Sequence, residues 1–145
     1  MHAQNPKERR YNDSLTLISR MINGNVFLCI DEGFSLDSAK NSSFIATEYL
    51  DNIRFGSLSF AMLLLLSTSQ RIHLLNKRAP RVQQRQIEQL IYNKIDRIFL
   101  AVAFNSSSQT LVSHDFIDFS NHNRSNIQIK LGVVIIEAVD VLNEI

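Results

Sequence analysis

The sequence predicts an α/β fold with a mostly parallel sheet. Three observations carry that expectation. The runs Val26-Phe27-Leu28-Cys29-Ile30 and Val133-Val134-Ile135-Ile136 are apolar throughout, as strands covered on both faces are. Two shorter candidates, 71–75 and 111–112, bring the strands to four. Between them lie stretches with helical apolar spacing, and strands that alternate with helices favour parallel pairing through crossovers. In such a sheet the functional crevice lies beyond the carboxyl ends of the strands.

Taken in order, residues 1–12 are polar and carry Lys7, Arg9 and Arg10. They read as a disordered arm before a single domain over 13–145. Asp13 or Ser14 caps a first helix, with Leu15, Leu17, Ile18, Met21 and Ile22 as its apolar face, and Asn23-Gly24-Asn25 ends it. The strand at 26–30 runs into the turn Asp31-Glu32-Gly33. Ser42 and Ser43 are caps for a helix with Ile45, Tyr49, Leu50 and Ile53 on one stripe and Glu48 at its flank. Residues 57–66 are apolar all round and predict a buried helix. Pro80 starts the next helix, whose stripe runs through Val82, Ile87, Leu90, Ile91 and Ile95. Residues 98–104 are again apolar on every side, 105–108 form a turn, and 137–145 predict a short final helix.

Composition narrows the function classes. A chain of 145 residues builds one domain with one sizeable core, and 45% apolar with 20% charged residues is ordinary for a globular protein. The net charge of +1 leaves any basic binding surface to local clustering, for which Arg78, Arg81 and Arg85 are the candidates. Cys29, the single cysteine, sits in an apolar run, which predicts a buried thiol in a reducing, cytoplasmic setting. The longest apolar run, 60–66, falls far short of the roughly 20 residues of a membrane helix. Residues 1–13 lack the apolar core of a signal peptide. His73, His114, His122 and Cys29 lack zinc-site spacing, and there is neither a glycine-rich phosphate loop nor a supported Ser-His-Asp set.

The chemistry rests on acids. Asp96 opens an apolar helix, and Asp115 and Asp118 follow a strand directly. Each has an ordinary reading as a cap or first-turn acid. Each also has a sharper one as a ligand for a divalent cation, because the fold brings strand ends and helix starts to one edge. Asp96 lies 19 residues before Asp115, with helix, turn and strand between, and Glu48 lies 48 residues before Asp96.

This spacing resembles the PIN-domain nuclease family. So do the words Asp-Arg-Ile-Phe-Leu-Ala-Val-Ala from Asp96, Leu-Val-Ser-His-Asp-Phe-Ile-Asp-Phe from Leu111 and Gly-Val-Val-Ile-Ile-Glu-Ala from Gly132. Phe-Leu-Cys-Ile-Asp-Glu-Gly from Phe27 and the pair Glu48-Tyr49 look like a variant of the family's earlier part. The resemblance implies a three-layer α/β/α sandwich with a central, mostly parallel sheet. It implies a Mg²⁺- or Mn²⁺-dependent ribonuclease with Glu48, Asp96, Asp115 and Asp118 as catalytic, metal-holding acids. Ser113 and His114 would support them, and Asp31 is a further acid of lower standing. RNA is the implied substrate, with Arg78, Arg81 and Arg85 as contacts, a homodimer as the assembly and an antitoxin-like protein as a companion. The family's usual first strand, ending in an Asp, has no counterpart in residues 1–13. The expectation is therefore a shortened member or a start upstream of Met1, and the alternative is a non-catalytic PIN-like interaction module. A receiver-like domain phosphorylated on Asp31 ranks last, since no lysine follows the strand at 133–136.

Overall fold

The computed structural model describes residues 10–145. The elements run α1 (Tyr11–Asn23), β1 (Leu28–Asp31), α2 (Phe44–Asn52), α3 (Leu58–Thr68), β2 (Ile72–Leu75), α4 (Arg81–Leu90) and α5 (Lys94–Asn105). After them come β3 (Thr110–Val112), α6 (Asn121–Leu131), β4 (Val134–Ile136) and α7 (Ala138–Leu142). Helix and strand are mixed and all pairing is parallel, as the alternating pattern predicts. Hydrogen bonding joins the strands as two separate pairs, β1 with β2 and β3 with β4.

The expected arm over 1–12 lies mostly outside the described residues. Its last two residues, Tyr11 and Asn12, belong to α1, which starts earlier than the Asp13 or Ser14 cap implies. An ion pair from Arg10 to Glu137 at 2.9 Å ties this start to the turn before α7. The other end of α1 is closed by Arg71, whose guanidinium donates to the carbonyls of Met21, Ile22 and Gly24. A basic side chain there satisfies oxygens that have no partner within the helix.

Local chemistry sets the remaining boundaries. Ser43, Ser57, Asn93 and Ser120 each accept a hydrogen bond from the first turn of the helix that follows them. The stripe from Val82 to Ile95 predicts one continuous helix, but the chain leaves the helix at Ile91. It restarts at Lys94 because the Asn93 side chain captures two backbone N–H groups. Helix α6 has no counterpart in the expected elements. Its buried side chains are Ile127 and Leu131 alone, while Ile129 is exposed, so no apolar stripe marks it. Its end is orthodox: Gly132 takes φ +71°, the left-handed C-terminal conformation. Helix α3, expected to be buried all round, buries Met62, Leu63 and Leu66 but leaves Leu58, Leu64 and Leu65 exposed.

Three apolar clusters fill the interior. One gathers Ile87, Leu100, Ala101, Ala103, Phe119, Ile127, Leu131 and Val133. The second packs α1 on α3 through Ile18, Met62 and Leu66, and the third joins Ile30, Ile45, Ala46 and Val102. Leu28 and Ile72 pack into both of the last two, so the β1–β2 pair links them. Helix α5 supplies residues to the first and third. Full burial of each large side chain contributes about 1.5–3 kcal/mol. Among the described residues no helix is long and apolar enough to cross a membrane.

The carboxyl end of β1 carries a fully buried carboxylate. Asp31 accepts hydrogen bonds from Ser43 Oγ at 2.6 Å, Phe44 N–H at 2.8 Å and Ile45 N–H at 2.9 Å. It therefore fastens the amino end of α2 to the strand. Gly33 sits in the turn between them at φ +92°, where an added Cβ would stand 2.1 Å from Ser42 Oγ. Replacing Asp31 by Asn puts an amide NH₂ against donors. The variant should lose about 1–3 kcal/mol, read as a lower midpoint in urea unfolding at unchanged slope.

Candidate metal centre

Two short segments build the site. The first is the amino end of α5. Asn93 Oδ1 accepts from the N–H groups of Ile95 at 2.9 Å and Asp96 at 3.3 Å, which fixes the first turn. Asp96 is the third residue of that turn, half-buried, near the positive end of the helix dipole.

The second segment runs from β3 to α6. Ser113 N–H donates to the Ile136 carbonyl, so the chain stays anchored to β4 one residue beyond the strand. Ser113 Oγ then accepts from Asp115 N–H at 3.1 Å, and Asp115 Oδ1 accepts from Ile117 N–H at 2.7 Å. These local bonds turn the loop tightly. Helix α6 holds it from the other side. Arg124 donates to the carbonyls of Ser113 at 3.1 Å, Asp115 at 2.9 Å and Phe119 at 2.7 Å. Its guanidinium lies 4.0 Å from the centre of the Phe116 ring. Asn123 Nδ2 donates to the Asp118 carbonyl at 2.8 Å.

These supports bring three carboxylates together. Asp96, Asp115 and Asp118, all half-buried, each offer one oxygen, and the three oxygens lie within 4.8 Å of one another. Burial pushes the Asp96 carboxyl up to about 7. A hydrogen bond with Asp118 and the negative charges of Asp118, Asp115 and Glu48 act in the same direction. Oxygens bound directly to Mg²⁺ at about 2.1 Å stand about 3 Å apart when adjacent and about 4.2 Å when opposite. The three oxygens, within 4.8 Å of one another, are close enough to converge on one such ion. The donors are all hard carboxylate oxygens, a set able to hold a divalent cation.

Glu48 stands apart from these three. It is exposed on α2 and bonded through Oε1 to Asn52 Nδ2 at 3.2 Å, and its charge is felt at Asp96 without its oxygens joining the group. Asp31 also lies outside the group. Its oxygens cap α2, and a fully buried, triply bonded carboxylate is no phosphate acceptor, so the receiver-like alternative loses its residue. Ser113 shapes the acid loop. His114 Nε2 accepts from Ala138 N–H at 3.1 Å, which ties that loop to α7. Cys29, expected to be buried, is only half-buried on β1, and that burial raises its pKa.

The basic residues gather elsewhere. Arg78, Arg81 and Arg85 line a cavity of about 420 Å³ with Ala79, Gln84 and Glu88. Asn105, at the carboxyl end of α5, donates to the carbonyls of Asn76 and Arg78. Arg78 therefore sits by the carboxyl end of α5, and the cavity extends along α4 to Glu88, whose carbonyl accepts from Arg97 at 3.2 Å. Arg124, Asn123 and Asn93 are the supporting residues that sequence reasoning missed. Asn93 was legible as a cap before Asp96. Arg124 and Asn123 were not, because their helix carries no apolar stripe.

No family model, curated protein or solved structure matches the chain.

Two predictions follow from this geometry. A carboxylic acid raised in the folded state binds its proton more tightly there than in the unfolded chain. Its contribution to stability therefore falls as pH rises from about 4 to about 7. Asp96→Asn should raise the Tm of the metal-free protein at pH 8 by about 2–4 °C. That corresponds to about 1 kcal/mol after solvent screening of a half-exposed group. At pH 5 the gain should shrink, and calorimetric scans at the two pH values measure the difference. Arg124→Met keeps the apolar stem over Phe116 but frees the loop carbonyls. Cation affinity, titrated with Mn²⁺, should fall about 10–100-fold while the far-ultraviolet circular dichroism stays unchanged.

Proposed function

We propose that this chain is a PIN-like, metal-dependent endoribonuclease in which Asp96, Asp115 and Asp118 hold one Mg²⁺ or Mn²⁺. The carrying observation is the set of three carboxylate oxygens within 4.8 Å of one another. Charges gathered so closely call for a counter-charge. A proton on Asp96 is one answer, and a divalent cation is the other. The proposal does not place Glu48 on the ion directly; it adds negative potential from α2.

When bound there, the cation supplies an acidified water as nucleophile and neutralises charge on the phosphodiester. The chain's own residues do the holding. Asn93 orients the turn bearing Asp96, while Arg124, Asn123 and Ser113 keep Asp115 and Asp118 from retreating into solvent. The mixed helices and parallel strand pairs agree with the α/β class of the PIN resemblance. The three-layer α/β/α sandwich belongs to this proposal. So do RNA as substrate, a cytoplasmic setting, a homodimer and an antitoxin-like partner.

A second reading, a non-catalytic PIN-like interaction module, is favoured by the apolar surface of Phe55, Leu58, Leu64 and Leu65. One set of measurements separates the two. The nuclease reading expects Mn²⁺ binding in calorimetry, RNA cleavage stopped by EDTA, and at least about a 100-fold loss of cleavage in Asp96→Asn and in Asp115→Asn. Cleavage that survives both substitutions removes the site. Absence of both cation binding and cleavage, with self-association in light scattering, transfers support to the interaction module.

A further inference from the structure

Beside the three acids lies a second open cavity of about 430 Å³, lined by Tyr92, Asn93, Lys94, Arg97 and Asp118. Asp118 belongs both to this groove and to the carboxylate group. We propose that the groove seats the RNA nucleotide beside the scissile phosphate, with the Tyr92 ring stacking on its base and Lys94 contacting its phosphate. The proposal rests on the nuclease reading and adds residues that determine how substrate is held.

Tyr92 is the first argument. It is 92% exposed, although the apolar residue before it, Ile91, is fully buried. An aromatic ring left in water costs hydrophobic stabilisation that a core position would recover. The backbone beneath it is fixed on both sides. Ile91 N–H donates to the Ile87 carbonyl at 3.0 Å, and the next residue, Asn93, caps α5. The ring is thus an exposed platform on a rigid three-residue joint between two helices. Stacking on such a platform tolerates any base, because every base has a π-face.

Charge is the second argument. Three ionised carboxylates repel a phosphodiester, and a divalent ion cancels only two of their charges. Lys94 and Arg97 bring two positive charges to the wall of the same groove and turn the balance in favour of phosphate. Lys94 is exposed and makes no ion pair among the described residues, so its ammonium is available. Arg97 is committed in part. Its Nε donates to the Ile91 carbonyl at 2.6 Å and its Nη2 to the Glu88 carbonyl at 3.2 Å. It braces the joint that carries Tyr92 while adding charge.

The separate cavity at Arg78, Arg81 and Arg85 makes a useful control, since it is basic but shares no lining residue with the groove. The experiment measures binding of a fluorescent single-stranded RNA oligonucleotide by anisotropy in Ca²⁺, over a series of salt concentrations. Mn²⁺ binding is titrated separately on the same proteins. Tyr92→Ala should weaken RNA binding about 5- to 150-fold, and Tyr92→Phe should restore most of it. An oligonucleotide without bases should show little difference between wild type and Tyr92→Ala. Lys94→Ala should lower the slope of log affinity against log salt by about 0.7. Neither variant should change Mn²⁺ affinity by more than a few-fold, which separates a lost subsite from a lost metal centre. If wild type binds Mn²⁺ and cleaves RNA but Tyr92→Ala and Lys94→Ala bind RNA as well as wild type, the subsite is refuted and the nuclease reading stands. Wild-type protein that binds neither Mn²⁺ nor RNA refutes both. Loss of RNA binding in Arg81→Ala but not in Tyr92→Ala would refute the subsite and move the binding surface to the arginine cavity.

Discussion

Everything about the site depends on how α5 is buried. Leu100, Ala101, Val102 and Ala103 are consecutive, so they face all round the helix, and every one is buried. The helix packs against α2, α4, β1 and β3 and contributes to two of the three apolar clusters. An element gripped on all sides has no freedom to slide or rotate. Its amino end therefore delivers Asp96 to one fixed place. The small side chains matter as much as the large ones, since Ala101 and Ala103 let the neighbouring cluster close around the helix.

The second constraint is backbone satisfaction. Asp115 and Asp118 lie on a loop without regular structure, and such a loop holds a geometry only if its polar groups are paired. Arg124 does most of that pairing by collecting three carbonyls with one planar cation. A guanidinium suits the task, since its donors form a rigid fork. At the carboxyl end of β1 Asp31 performs the reverse service and collects donors with one carboxylate. The two acid types diverge in role for a physical reason. Asp31 meets N–H and O–H groups at a helix start, while Asp96 meets other carboxylates.

Much of this was legible in the chain. Ser43 located α2 as a cap, and apolar runs located α3, the body of α5 and all four strands. The meeting of Asp96, Asp115 and Asp118 was legible too, because a helix start and a strand end must meet at one edge of a parallel pair, but Glu48, expected with them, stays on α2 outside the group. Three features resisted reading, each for an identifiable cause. The break at Ile91 hides inside a stripe that stays in phase across it, and only the Asn93 side chain betrays the restart. Helix α6 presents too few apolar residues to show a period, although Ser120 and Gly132 mark its ends. The exposed leucines of α3 carry no sequence signal, since a run of leucines looks the same whether or not a neighbour covers it.

The proton on Asp96 has a consequence for the order of events. Many small metal-dependent domains stay unfolded until their ion arrives, because their ligands cannot tolerate one another alone. Here a carboxyl that holds its proton to about pH 7 relieves the crowding by itself, so closing the interior need not wait for a divalent ion. On the proposed reading, an arriving ion would meet a finished receptacle and displace a hydrogen ion from it. Occupancy would then be a matter of exchange rather than of assembly, governed jointly by acidity and metal supply.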